Sequence, residues 1–109
     1  MELEETKSIL KEIEEIYGKE GLMACKIYVS MGYSIDNFME AYQGLYETKE
    51  AFGYHLADNL GYFDELEKNG IRSGYFDVKQ FTYDKFYCGD YFASDYIPEL
   101  NGYFIFENV

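Results

Sequence analysis

The stretch NGYFIF (residues 101–106) decides the fold class, because it joins a turn signal to a strong strand signal. Aromatic and β-branched residues such as Tyr103, Phe104 and Ile105 favour strands, and an Asn-Gly pair favours a turn. A strand must pair its backbone N–H and C=O groups, and the aromatic segment over residues 43–46 is the best partner. Since the rest of the chain favours helices, we predict an α+β fold: a mostly helical small domain with a short antiparallel sheet near the C-terminus.

The N-terminal region has the periodicity of helices. Apolar residues recur at three- and four-residue steps over residues 3–17, and Gly18 follows directly. This pattern predicts an amphipathic helix closed by a glycine cap. Residues 22–31 are apolar on nearly every side and predict a buried helix that ends at Gly32. A buried strand over residues 26–30 is the alternative, because periodicity alone does not separate the two.

Two helix starts are indicated by N-cap residues in the middle of the chain. Ser34 predicts a short helix that stops at Gly44, and Thr48 predicts a longer one that runs to Gly61. The apolar positions of these helices are Phe38, Ala41 and Tyr42 in the first and Ala51, Phe52, Leu56 and Leu60 in the second. Each helix is expected to bury those side chains in the core.

The segment after Gly61 is charged and contains further glycines, so we predict a connection with one turn of helix over residues 63–68. Asp77 then predicts another helix, with Gly89 beyond its end. The side chains expected to face inward from that helix are Val78, Phe81 and Phe86.

Residue types that carry catalysis are scarce. The only histidine, His55, stands between Phe52 and Leu56 in a predicted helix, without a nucleophile at a recognisable spacing. Cys25 and Cys88 are far apart and lack the neighbouring Cys or His residues of a zinc site. Neither a phosphate-binding glycine loop nor a calcium-loop pattern is present. We therefore expect no enzyme activity, no cofactor, no metal ion and two reduced cysteines.

Composition and charge limit the kinds of partner that this chain is expected to bind. The chain has 21 acidic and nine basic residues, yet 48% of it is hydrophobic, so it should fold rather than form an acidic tail. A net charge of −12 would repel phosphates, so we expect no direct binding to nucleic acid. No apolar run approaches the roughly 18 residues of a membrane span, and the N-terminus is acidic. We therefore expect a cytoplasmic protein without membrane contact.

The gross acidic charge is large enough to imitate a short piece of DNA. Duplex DNA carries one charge per about 1.7 Å of axis, so 21 carboxylates at that density match about 36 Å of duplex. An acidic surface can also serve solubility alone. Here the acids recur through every predicted element, and nine of the 13 tyrosines stand among them, a residue type that suits half-buried interface positions. The pattern favours a folded acidic surface that occupies a cationic groove.

Several spaced motifs follow one another from residue 37 onward. The stretch NFMEAYQGLYET (residues 37–48) contains the spacing F-x-x-A-Y-x-G-x-Y and leads into a predicted helix. Tyr-Phe-Asp at residues 75–77, Gly-Asp-Tyr-Phe at residues 89–92 and Gly-Tyr-Phe-Ile-Phe at residues 102–106 follow in order. In these motifs the chain resembles the ArdA family of antirestriction proteins.

The resemblance implies both an organisation and a function. Members of the ArdA family are acidic, dimeric mimics of B-form DNA that occupy the DNA-binding groove of type I restriction-modification enzymes. They have no catalytic site and need no cofactor. The periodicity described above predicts an N-terminal helical region over residues 1–36, and the resemblance implies that residues 37–109 form an ArdA-like C-terminal α/β region as one compact unit. The implied partners are a DNA-binding enzyme of the host and a second copy of the chain.

In this hypothesis, carboxylates on exposed helix faces replace DNA phosphates. The acids expected to do so are Glu40, Glu47, Glu50, Asp58, Asp64, Glu65, Glu67, Asp84, Asp90 and Asp95. Two alternatives stay open. The first is an anti-CRISPR protein that fills the nucleic-acid or PAM-reading site of a CRISPR effector. The second is an acidic protein–protein adaptor unrelated to DNA, which docks through its N-terminal helix and should not compete with duplex DNA.

Overall fold

The computed structural model describes the backbone of residues 2–72, 74 and 76–109 and the side chains of residues 6–72, 74 and 76–109. Tyr75, which belongs to one of the ArdA-like motifs, lies outside the described residues. The chain divides into two compact units. The first unit contains the residues up to Gln43 together with Val109, and the second unit is Gly44–Asn108.

The first unit begins with α1 (Glu2–Ser30), a long helix that is interrupted at Gly18. Gly18 has φ 76° and ψ −162°, a backbone conformation that glycine adopts without strain and that breaks the helix. The predicted stop at Gly18 is therefore a kink between two helical arms. Residues 22–30 belong to the second arm, so the predicted helix is confirmed and the alternative strand over residues 26–30 is wrong.

A 3-10 helix (Ile35–Asn37) and the short helix α2 (Phe38–Ala41) follow α1. The Ser34 hydroxyl accepts a backbone N–H at 3.3 Å at the start of the 3-10 helix, so its predicted capping role is confirmed. The predicted continuation of the helix through Tyr42 is wrong. Tyr42 has extended backbone angles and begins strand β1 (Tyr42–Tyr46), because sheet pairing takes over from the helical hydrogen bonds there.

Aromatic rings form much of the core of the first unit. Its buried side chains are Ile13, Ala24, Cys25, Tyr28, Phe38 and Ala41. The Phe38 ring stacks on Tyr42 with centroids 5.1 Å apart and meets Tyr28 edge-on at 5.8 Å. The expectation that residues 22–31 are buried on nearly every side is wrong, because Met23 and others of their apolar side chains are exposed. The second arm of α1 is thus a surface helix with one buried face.

Among its described residues, the second unit contains helices and the strands that follow β1 in the chain. They are α3 (Lys49–Asn59), α4 (Tyr62–Lys68), α5 (Val78–Tyr87), β2 (Tyr91–Ala93) and β3 (Tyr103–Glu107). Thr48 Oγ1 accepts the Ala51 N–H at 3.0 Å, and Asp77 Oδ1 accepts the Gln80 N–H at 3.0 Å. Both predicted N-caps are therefore confirmed, and the turn predicted over residues 63–68 is the helix α4.

The strands form a three-stranded sheet in the order β1-β3-β2. β2 and β3 run antiparallel, with Phe92 opposite Phe106, and the central strand β3 buries Phe104, Ile105 and Phe106. The predicted α+β class and the pairing of residues 43–46 with the C-terminal strand are confirmed. Gly44, predicted to stop a helix, instead lies within β1 at φ 113°. β2 was not predicted, because three residues carry too little pattern.

Helices α3 and α5 pack against each other at a glycine. A Cβ atom built on Gly53 would lie 1.7 Å from Thr82 Oγ1, so a residue with a side chain does not fit there. The buried face of α3 consists of Phe52, Gly53 and Ala57, and Gly53 makes the close contact with α5. Phe52 is buried as predicted, whereas Ala51 and Leu60 are exposed, so that part of the predicted stripe is wrong.

Candidate partner-binding surface

All ten carboxylates that the sequence predicts to face a partner belong to exposed residues. Glu40 lies on α2 in the first unit, and the other nine lie in the second unit. The second unit holds twelve acidic and five basic side chains, a balance of −7. The predicted acids are thus gathered mainly in one compact unit, which we call the acidic unit (Gly44–Asn108).

Local helix signals place several of these acids. Glu50 lies in the first turn of α3, and Asp64 and Glu65 lie in the first turn of α4. A carboxylate there is stabilised by the positive end of the helix dipole by about 0.3–1 kcal/mol, so these three also support the fold. The others lie in or near the last turns of α3 and α4 (Asp58, Glu67), on α5 (Asp84) and outside the helices (Glu47, Asp90, Asp95).

Few of the carboxylates are neutralised by the protein itself. Among the side chains that the structure describes, the single ion pair joins Lys85 Nζ to Asp90 Oδ2 at 3.9 Å. Asp84 Oδ1 accepts a hydrogen bond from Gln80 Nε2 at 2.9 Å, which orients the carboxylate without neutralising it. Nine of the ten predicted acids therefore keep their charge available to an external cation, and Asp90 is the weakest member of the set.

Two lysines of the acidic unit lie against its aromatic rings. The Lys49 ammonium lies 5.6 Å from the centre of the Phe86 ring and 5.8 Å from that of Tyr103. The Lys85 ammonium lies 5.5 Å from the centre of the Phe81 ring. A cation held over a ring face is attracted by the ring quadrupole, so these positive charges are engaged internally.

Tyrosines lie among the acids in two kinds of environment. Tyr46 and Tyr91 are half-buried and pack on the Phe52 ring, with centroids 5.2 and 5.0 Å away. Tyr83 and Tyr87 instead stack on each other on the exposed side of α5. The sequence places all four among the acids, but it does not show which rings reach the surface.

Burial raises the pKa of several tyrosines among the described side chains. It raises the pKa of Tyr28 in the first unit and of Tyr46 in the acidic unit. Burial also raises the pKa of Tyr91, and the nearby carboxylates of Glu107 and Asp90 raise it further. These phenols therefore stay neutral to a higher pH than a tyrosine with the ordinary pKa does.

The residues that were considered for chemistry are dispersed. His55 is exposed and shares a hydrogen bond with Asn59 at 3.0 Å. Cys25 is buried, which raises the pKa of its thiol, and Cys88 is exposed. Across residues 6–72, 74 and 76–109, no group of three His, Cys, Asp or Glu side chains is arranged to hold a metal ion. The functional candidates that the structure leaves at the surface are the ten exposed carboxylates and the stacked rings of Tyr83 and Tyr87.

Comparison with known proteins identifies no relative of this chain. No protein-family model, no curated protein and no solved structure matches this chain. In the part of the chain that the structure describes, no helix is both long and apolar enough to cross a membrane.

Proposed function

We propose that this chain is an antirestriction protein that inhibits type I restriction-modification enzymes by occupying their DNA-binding groove in place of DNA. The observation that supports the proposal most is the set of nine exposed acids for which the described side chains offer no ion pair. The ArdA-like motifs from residue 37 onward give the class of target. The proposed target acts on DNA, so the proposed location is the cytoplasm.

The mechanism is competition for the cationic residues that hold DNA phosphates. Each exposed carboxylate presents a negative charge at a position that the fold fixes. The field of the whole protein steers its association with a cationic groove, and salt weakens both the steering and the bound contacts. The aromatic core matters because a disordered acidic tail would lose entropy on ordering, whereas a folded surface is already arranged.

A cleavage assay with a purified type I enzyme tests the proposal. We expect inhibition of both cleavage and methylation at near-stoichiometric amounts of this protein. The inhibition should be relieved by added nonspecific duplex DNA, because the two occupy the same groove. Direct binding of this protein to the enzyme, measured without DNA, should weaken as salt rises from about 0.05 M to about 0.2 M, since contacts made through charge respond in that range.

A CRISPR nuclease assayed in parallel is the matched control. If this protein inhibits the CRISPR nuclease and not the type I enzyme, the proposal is wrong and the target is a CRISPR effector. Inhibition that added DNA does not relieve would contradict mimicry and favour an acidic adaptor. No effect on either enzyme would contradict the proposal.

A further inference from the structure

The exposed side of α5 carries a stacked pair of tyrosines. The ring centroids of Tyr83 and Tyr87 are 5.4 Å apart, and the ring planes are inclined by 15°. The two residues are 59% and 76% exposed. They are one helical turn apart, at spacing i and i+4, so the helix backbone fixes the separation of the rings.

This exposure makes the pair a candidate contact surface. Tyr54, a described tyrosine of comparable exposure at 56%, packs on the Phe63 ring with centroids 4.9 Å apart. Tyr83 and Tyr87 stack on each other, and Tyr87 leaves about three-quarters of its surface in water. Tyrosine is enriched in the energetically important centres of interfaces, because it offers a rigid ring and a polar hydroxyl.

The charges around the pair favour a cation. Asp84 is exposed and three residues before Tyr87, a spacing at which two side chains are neighbours on a helix surface. The hydrogen bond from Gln80 to Asp84 Oδ1 orients that carboxylate. Lys85 engages Phe81 and Asp90, and the C-terminal end of the α5 dipole near Tyr87 adds negative potential.

One positive charge lies on the same side of the helix. Lys79 is exposed and one turn before Tyr83, at the N-terminal end of the pair. A cation would therefore meet the least repulsion at the Tyr87 end, which is farther from Lys79 and one helical turn after Asp84. The acidic unit has a balance of −7, so its overall field also attracts a cationic partner.

We propose that Tyr83, Tyr87 and Asp84 form a contact site for an arginine guanidinium in the cationic groove of the partner. A guanidinium plane stacks on an aromatic face and donates hydrogen bonds to a carboxylate at its edge, so one arginine can engage both kinds of group. A lysine ammonium is more strongly hydrated and gains less from the stack. The site goes beyond phosphate mimicry, because it adds a preference for arginine to a general attraction for positive charge.

The identity of the groove rests on the proposed function, but the preference for arginine can be tested without it. Fluorescently labelled hexa-arginine and hexa-lysine peptides are titrated with the full chain, and fluorescence anisotropy reports binding. The titrations are done at about 0.15 M salt, where the screening length of about 8 Å suppresses nonspecific attraction. We expect the unaltered chain to bind hexa-arginine more tightly than hexa-lysine by about fivefold, the size of one exposed cation–ring contact.

Substitutions at the pair separate ring contacts from charge. Tyr83→Ala with Tyr87→Ala should weaken hexa-arginine binding by about fivefold and change hexa-lysine binding by less than about twofold. Tyr83→Phe with Tyr87→Phe keeps both ring faces and should retain the preference. Tyr54→Ala, at a tyrosine of similar exposure, is the matched control and should also retain it. Thermal melts confirm that each variant is folded.

The outcomes distinguish the two proposals. Equal affinity of the unaltered chain for both peptides, an equal loss for both peptides in the alanine variant, or loss of the preference in the phenylalanine variant would each overturn the arginine site. If the chain inhibits the type I enzyme and the alanine variant inhibits equally well, the arginine site is overturned while the proposed function stands. If the chain fails to inhibit but shows the arginine preference through this pair, the proposed function fails and the site stands.

Discussion

The two units carry negative charge in different ways. In the first unit most acids lie along one element, α1, so the order of residues on a helix is enough to place them. In the acidic unit they come from three helices and from segments outside the helices. Their relative positions then depend on how α3, α4, α5 and the sheet pack. Negative charge therefore lies along a helix surface in the first unit and depends on tertiary packing in the acidic unit.

The largest expected effect comes from removing a core ring in either unit. Phe104→Ala in the acidic unit and Phe38→Ala in the first unit each delete a fully buried ring, at a cost of about 3–5 kcal/mol in the free energy of unfolding. Each unit has its own buried side chains, so each substitution should remove amide protection mainly in its own unit. Hydrogen exchange measures the amide protection of each unit. Equal loss of protection across both units would contradict the division into two cores.

A smaller effect is expected at close glycine contacts, of which each unit has an example. Gly53→Ala places a Cβ against Thr82 in the acidic unit, and Gly21→Ala places one 2.2 Å from Tyr17 Cβ in the first unit. We expect each to lower the free energy of unfolding by about 1–3 kcal/mol through overpacking. Gly74→Ala is the control, because a Cβ there meets nothing within 4 Å. A denaturation series in which all three variants behave alike would show that these contacts do not restrict side-chain size.

Two variants with equal changes of net charge test whether the acids of the two units contribute differently to binding. The first neutralises exposed acids of the acidic unit outside the first turns of helices: Glu47→Gln, Asp58→Asn, Glu67→Gln and Asp95→Asn. The second neutralises exposed acids of α1: Glu12→Gln, Glu14→Gln, Glu15→Gln and Glu20→Gln. We expect the first to weaken inhibition of the type I enzyme by about tenfold, from four partly screened ion pairs at the interface, and the second to change it little.

Both charge variants should keep thermal midpoints close to that of the unaltered chain, because the substituted side chains are exposed. The concentration for half-inhibition is the measurement. If both variants weaken inhibition equally, net charge alone governs binding and the acidic unit has no special role. If neither does, the electrostatic mechanism is wrong.

The smallest expected effect is a loss of stability in alkali. Burial raises the pKa of Tyr46 and Tyr91 in the folded acidic unit, whereas an unfolded tyrosine titrates near about 10. The contribution of these two tyrosines to stability is therefore complete below about pH 10. It is lost as the pH rises through their raised pKa values. Thermal melts at increasing pH should show this decline, and Tyr46→Phe with Tyr91→Phe should make it shallower. An unchanged slope in that variant would show that other groups cause the decline.

Local signals predicted a large part of the fold. Thr48 and Asp77 cap α3 and α5 as expected, because an N-cap acts on backbone groups only two or three residues away. The strand over residues 103–106 was also predicted, since its residue types favour strands. Tyr42 shows the limit of such signals. Its position after a short helix favoured continuation, but pairing within the sheet decided its conformation.

The candidate site was predictable in composition but not in arrangement. Charge alone placed the acids at the surface, because an unpaired carboxylate is costly to bury. The stacking of Tyr83 on Tyr87 was in principle readable from their i, i+4 spacing on a predicted helix. The exposure of the two rings was not readable from the sequence, because it depends on which face of α5 packs on α3. The close contact of Gly53 with Thr82 sets that face.

The sequence by itself determined that this protein folds with helices and a short sheet, that it is strongly acidic and where several of its helices begin. These features depend on residue types and on contacts between near neighbours in the chain. The tertiary structure was needed to show that β2 pairs with β3, that Lys49 lies against the rings of Phe86 and Tyr103, and which face of α5 remains exposed with Tyr83 and Tyr87. These features depend on contacts between residues distant in sequence, and such contacts form only when the whole core packs.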